Sequence, residues 1–132
     1  ELMIDLATLT GAIIVALGNE NAGLYANDDT LAERLRVAGE SAGEPVWRMP
    51  LGDAYHKLIN TPRADMKNVG PRWGGSITAA QFLQRFAEDI KWAHLDIAGV
   101  AWTDKELPVM DKGATAFGVR LLDRFIADNY EK

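Results

Sequence analysis

Met3-Ile4-Asp5-Leu6-Ala7-Thr8-Leu9-Thr10-Gly11-Ala12 runs an apolar strand straight into a turn of small residues. Met3, Ile4 and Leu6 have the character of a buried strand, whereas Ala7 to Ala12 offer little bulk, two hydroxyls and one glycine. Backbone this bare lets another molecule approach its N–H and C=O groups closely. In an α/β sheet, ligands settle at the carboxyl ends of strands, where this turn lies. A second stretch, Trp92-Ala93-His94-Leu95-Asp96-Ile97-Ala98-Gly99-Val100-Ala101-Trp102, repeats the design, with Ala98-Gly99 as its small-residue mouth.

Outward from these two stretches, strand and helix patterns alternate, which predicts an α/β fold with a mixed sheet flanked by helices. Strands are expected over Leu2–Leu6, Ala22–Tyr25 and Trp92–Ile97, and Glu44–Met49 as a connection or short strand. A short helix is expected over Ala12–Leu17, ended by Gly18. Asp28 caps a predicted helix over Asp29–Ala42, with Leu31, Leu35 and Ala38 on one face and Gly43 after it. Asp53–Ile59 has one or two helical turns, and Thr61-Pro62 breaks the chain. Ala64–Asn68 is expected to be extended, and Val69–Gly75 a loop. Ser76 is the predicted cap of a helix over Ile77–Asp89, whose apolar face joins Ala79, Phe82, Leu83, Phe86, Ala87 and Ile90. Val100–Ala114 reads as a long loop. A last helix is expected over Thr115–Asn129, with Leu121, Leu122, Phe125 and Ile126 inward.

The bulk properties narrow the function classes. The chain has 132 residues, 48% of them hydrophobic and 25% charged, ordinary values for a globular domain with a core. A net charge of −5 disfavours a nucleic-acid or anionic-membrane surface, which needs clustered basic residues. No cysteine is present, so disulfides and zinc–thiolate sites are excluded. No apolar run reaches the ~20 residues of a membrane span. Ser41 and Ser76 lie in no nucleophile-elbow pattern. Gly70-Pro71-Arg72-Trp73-Gly74-Gly75 lacks the lysine and hydroxyl of a phosphate loop.

Several segments together carry a resemblance. Asp5-Leu6-Ala7-Thr8-Leu9-Thr10-Gly11-Ala12, Ala64-Asp65-Met66-Lys67-Asn68, Ile77-Thr78-Ala79-Ala80, Trp92-Ala93-His94-Leu95-Asp96-Ile97-Ala98-Gly99 and Lys112-Gly113-Ala114-Thr115 follow one another from end to end of the chain. In order and spacing they resemble the catalytic domain of the leucyl aminopeptidases, also called cytosol aminopeptidases. Pro71-Arg72-Trp73 and Phe117-Gly118-Val119-Arg120 are similar to bacterial members. The resemblance implies a metal-dependent enzyme that releases N-terminal, preferentially apolar residues such as leucine from peptides. It implies two divalent cations (zinc, manganese, magnesium or cobalt), a cytoplasmic location and a homo-oligomer, a hexamer in the family. The family's octapeptide Asn-Thr-Asp-Ala-Glu-Gly-Arg-Leu, which supplies two metal ligands and an arginine, does not occur in the chain. The expectation is therefore that residues 1–132 form the distal portion of an incomplete catalytic domain. It would bind no metal and hold no catalytic residue of its own, and would be inert alone. A non-enzymatic oligomerisation or interaction module from an inactive paralogue is the alternative of a different class.

By the same resemblance, Thr8 and Gly11 line the pocket for the substrate's first side chain and the Leu9 main chain faces the reaction centre, together a substrate cradle; an ordinary helix N-terminus capped by Thr8 or Thr10 is the bland alternative. Ala98 and Ala101 match two positions on the wall of the apolar pocket. Some relatives carry methionine at the second, so Ala101 implies room for bulkier side chains. Val69 matches a position beside the pocket for the residue after the scissile bond. His94 and Asp96 share a strand face, and would be either a metal pair or, more simply, hydrogen-bonding residues that tie strand ends together. Asp65 and Lys67 would share a face and pair as a salt bridge. His56 is a surface or packing residue, and Asp104, Glu106 and Asp111 belong to a solvated loop.

Overall fold

A computed structural model describes residues 1–106 and 111–131. Four strands form one mixed sheet, β1 (Leu2–Ala7), β2 (Ala22–Ala26), β3 (Val46–Arg48) and β4 (Lys91–Asp96), in the order β1-β4-β2-β3. β1 runs parallel to β4, with Asp5 opposite His94 and Ala7 opposite Asp96. β2 runs antiparallel to β4, with Tyr25 opposite His94, and parallel to β3.

This register sorts the side chains by period two. Leu24, Ala93 and Leu95, with Ile4 and Leu6 packed beside them, look toward two long helices, α2 (Asp29–Ala42) and α5 (Val119–Tyr130). Leu31, Leu35, Ala38, Leu121 and Phe125 close that apolar layer. Tyr25, Trp92, His94 and Asp96 look the other way. Toward them pack α1 (Gly11–Leu17) and α4 (Gly75–Ala87), the latter braced by α3 (Asp53–Lys57). α1 comes close because Gly23 has no side chain: a Cβ there would run into Ile13.

Local signals account for α2 at both ends. The Asp28 carboxylate accepts the Leu31 N–H at 2.8 Å, and Gly43 ends the helix at φ 70°. Other expectations give way to tertiary contacts. α4 begins two residues early, capped by Gly74 at φ 68° and not by Ser76, which is buried. Its buried stripe is Ile77, Ala80, Gln81 and Ala87, whereas Phe86 is exposed and its ring tilts against Phe82. Gln81 earns its burial by accepting the Gly52 N–H at 2.7 Å. α5 begins at Val119 and not Thr115, because Thr115 donates its hydroxyl to the Val100 carbonyl at 2.6 Å. Ile126 is half exposed.

Residues 64–68 form bends and irregular chain, with no strand to align Asp65 and Lys67. Instead the Lys67 N–H donates to the Ile59 carbonyl at 2.7 Å, and Arg85 donates to the Asp65 carbonyl. The predicted loop over Val100–Ala114 is zipped at its ends into an antiparallel pair, β5 (Trp102–Thr103) and β6 (Gly113–Ala114). Its residues 107–110 lie outside the described residues.

Candidate functional site

Parallel pairing of β1 with β4 brings both small-residue mouths to one end of the sheet. The residue that joins them is Asp96, the last of β4 and fully buried. Its Oδ1 accepts the N–H groups of Leu9 at 3.1 Å, Thr10 at 3.5 Å and Ala98 at 3.3 Å. Its Oδ2 takes the Thr10 hydroxyl at 2.7 Å. That hydroxyl in turn accepts the Ile13 N–H at 3.1 Å and caps α1. One carboxylate thus holds the turn after β1, the turn after β4 and the start of a helix. Its charge faces N–H and O–H dipoles and no cation, the environment that suits a buried carboxylate.

The turn so held is an open ledge. Thr8, Leu9 and Gly11 are exposed, and Ala98 and Ala101 are half-buried; Ala98 is joined to the ledge through Asp96. Ala98-Gly99 seats against the far end of α1, where a Cβ on Gly99 would collide with the Gly18 carbonyl oxygen. Ala101 is fixed by backbone: its N–H donates to Ile97 and its carbonyl accepts the Thr115 N–H at 3.0 Å. Val69 stands apart on the loop that leads into α4 and is exposed. The loop ends at α4, whose first residue, Gly75, faces Ala12 of α1. The helix-cap reading and the ledge are therefore one structure, in which Thr10 caps α1 while its neighbours stay open.

Below the ledge, on the same sheet face, the three ring systems of Tyr25, His94 and Trp92 stack, with centroids 6.0 and 6.3 Å apart. Asp5 ties them to β1, accepting Trp92 Nε1–H at 2.7 Å and His94 Nδ1–H at 2.5 Å. His94 and Asp96 make no bond to each other; each reaches across to β1 or to its following turn. Among the described residues the His94 Nε2 is buried without a hydrogen-bond partner; burial pushes the Tyr25 hydroxyl up to about 12, with Ser76 close by pulling less strongly the other way. His56 closes α3, and its carbonyl accepts from Arg85.

Among the described residues no group of three or more His, Asp or Glu stands close enough to hold a metal ion. A cavity of about 440 Å³ opens away from the ledge, between Glu44, Trp102, Thr115 and Arg120. Glu44 there is spoken for: its buried carboxylate accepts Gly118 N–H and Leu121 N–H, both at 2.9 Å, and pairs with Arg120.

The anchoring role of Asp96 is not visible from residue spacing, because Leu9 and Asp96 are 87 positions apart. The usable signal was a carboxylate at the end of a strand with no basic residue beside it. The same holds for Asp5, an acid inside an otherwise apolar strand.

With this geometry in place, comparisons with known proteins are specific. The family model of the cytosol aminopeptidase family, catalytic domain, matches residues 1–123. A probable cytosol aminopeptidase of Chelativorans is 63% identical over 131 residues, covering 99% of this chain and 26% of that protein. One from Bradyrhizobium is also 63% identical, with the same coverage. A solved mutant of tomato leucine aminopeptidase superposes with a TM-score of 0.90 at 45% identity, over 98% of this chain and 25% of that one. The chain thus spans about a quarter of the length of these relatives, and by family model, sequence and structure alike it belongs to the cytosol aminopeptidase family.

Proposed function

We propose that these 132 residues are the distal part of the catalytic domain of a leucyl aminopeptidase, a hydrolase that removes N-terminal, preferentially apolar residues from peptides. Thr8, Leu9 and Gly11 form the cradle under the substrate's first residue, Ala98 and Ala101 form its apolar wall, and Val69 borders the following residue. The observation that carries this reading is the exposed Thr8–Gly11 ledge, held rigid from beneath by a buried carboxylate. Rigid backbone orients a peptide without charged groups that would compete for its termini, and fixed orientation is a large part of catalytic power. The full-length enzyme works in the cytoplasm as a homo-oligomer, a hexamer, with two divalent cations (zinc, manganese, magnesium or cobalt) on residues outside this chain. No helix among the described residues is long and apolar enough to cross a membrane, in keeping with that location.

The test is a leucine-anilide assay of the full-length protein with manganese and with a chelator, beside the 132-residue chain alone. Metal-dependent release by the former and none by the latter is expected. No release by the full-length protein would return the chain to a non-enzymatic interaction module. The wall is tested by Ala101→Met, expected to lower kcat/KM for phenylalanyl substrates about tenfold relative to alanyl ones, the size of effect a few buried atoms give in a pocket.

A further inference from the structure

The Asp96 side chain hydrogen-bonds both small-residue turns. Its Oδ1 gathers N–H groups from Leu9, Thr10 and Ala98, and its Oδ2 takes the hydroxyl of Thr10. An apolar residue could fill the same space, but it would leave three N–H groups to find other partners. Such groups are satisfied in folded proteins as a rule, so the turns would move. The arrangement is also two-sided. Leu9 lies in the cradle and Ala98 in the wall, and both hang from the same oxygen, so their separation is set by one atom.

We propose that Asp96 is a positioning residue that sets the distance between cradle and wall, and thereby which first residues the pocket accepts. The inference rests on the assignment of Thr8–Gly11 and Ala98 to the pocket. The shape of the carboxylate matters more than its presence. Asparagine keeps one oxygen for the N–H groups, and offers an amide donor where the Thr10 hydroxyl sought an acceptor. Glutamate keeps both oxygens but pushes them outward by one methylene, which should part the two turns. A residue that only stabilised the fold would act differently: its loss would lower the fraction folded and leave the preference of the remaining molecules unchanged.

The experiment is steady-state kinetics of the full-length enzyme with alanyl, leucyl and phenylalanyl anilides, with thermal unfolding of each variant measured alongside. Asp96→Asn should lower kcat/KM for the leucyl substrate between ten- and a hundredfold, chiefly through KM. Asp96→Glu should change the phenylalanyl-to-alanyl ratio by at least fivefold. Asp28→Ala, at the cap of α2 and outside both turns, should stay within twofold of the parent protein in both kinetic measures. Equal loss on all three substrates, in proportion to a lower melting temperature, would overturn the proposal. So would an unchanged substrate ratio in Asp96→Glu with a well-folded protein. Gly11→Val in parallel separates the two levels. If it shifts the ratio and the Asp96 variants do not, positioning by Asp96 fails alone. If Gly11→Val also leaves the ratio untouched, the pocket assignment itself fails and takes this inference with it.

Discussion

The two faces of the sheet are built by different rules. Toward α2 and α5 the side chains of the sheet are apolar, and Leu24, Leu95, Leu35, Leu121 and Phe125 pack together; the buried Glu44 sits at the edge of that layer, bonded to the start of α5. Toward α1 and α4 the same strands present Asp5, Tyr25, Trp92, His94 and Asp96 in one patch. Burial of polar groups is unfavourable unless each finds a partner, so that face is held by specific bonds between residues far apart in the chain. The apolar face tolerates any filling of the right volume. The polar face accepts little change, and the ledge stands on it. Both faces bury apolar side chains, but the polar bonds that hold the ledge lie on one of them.

The sharpest way to break this division is to remove bulk from the apolar face. Phe125→Ala should destabilise the domain by about 3–5 kcal/mol, read by urea unfolding, while the molecules still folded keep the parent's substrate preference. A changed preference would mean that the two faces are not separable.

Next in size is alkaline pH acting on the polar face. Tyr25 is held neutral in the folded protein up to about 12, and ionises near 10 once unfolded. The folded state therefore keeps the proton longer, and the stability it contributes is complete below pH 10. It is lost progressively as pH rises from 10 toward 12, by at most about 3 kcal/mol. Tyr25→Phe should flatten that decline in a stability-against-pH series. Among the described residues the hydroxyl has no well-formed hydrogen bond, so the same variant should lose little stability at neutral pH.

Glu44 tests whether a buried acid can serve stability alone. It ties the turn after α2 to the start of α5, well away from the ledge. Glu44→Ala leaves two buried N–H groups unpaired and should destabilise by about 2 kcal/mol, with kcat and KM of the folded enzyme unchanged. Smallest is the cap of α2, where Asp28→Ala should lower stability by about 1 kcal/mol, seen as a modest fall in melting temperature. Activity lost beyond the fraction unfolded would show that α2 reaches the site after all.

The elements with strong local chemistry were legible from residues alone. α2 occupies the span its cap, periodicity and terminal glycine prescribe, and β1 and β4 lie where their apolar runs lie. Errors arose where a distant group decided the outcome. Gln81 is buried because it serves Gly52, so the stripe of α4 is rotated from the one its aromatics suggest. Residues 64–68 are expected to be extended yet bend, because their backbone groups are taken by Ile59 and Arg85. Trp102, Thr103 and Gly113 pair only because Thr115 pins the base of their hairpin to residues 100 and 101.

By itself, then, the sequence determined the class of fold, the helix ends marked by Asp28 and Gly43, and the two bare turns with their family resemblance, because each is written in neighbouring residues. Only the tertiary structure decided that the strands run in the order β1-β4-β2-β3, that Asp5 belongs to His94 and Trp92, and that Asp96 governs both turns. Those pairings join residues nearly ninety positions apart. Strand register sets such partners, and register is a property of the packed sheet, absent from any one of its strands.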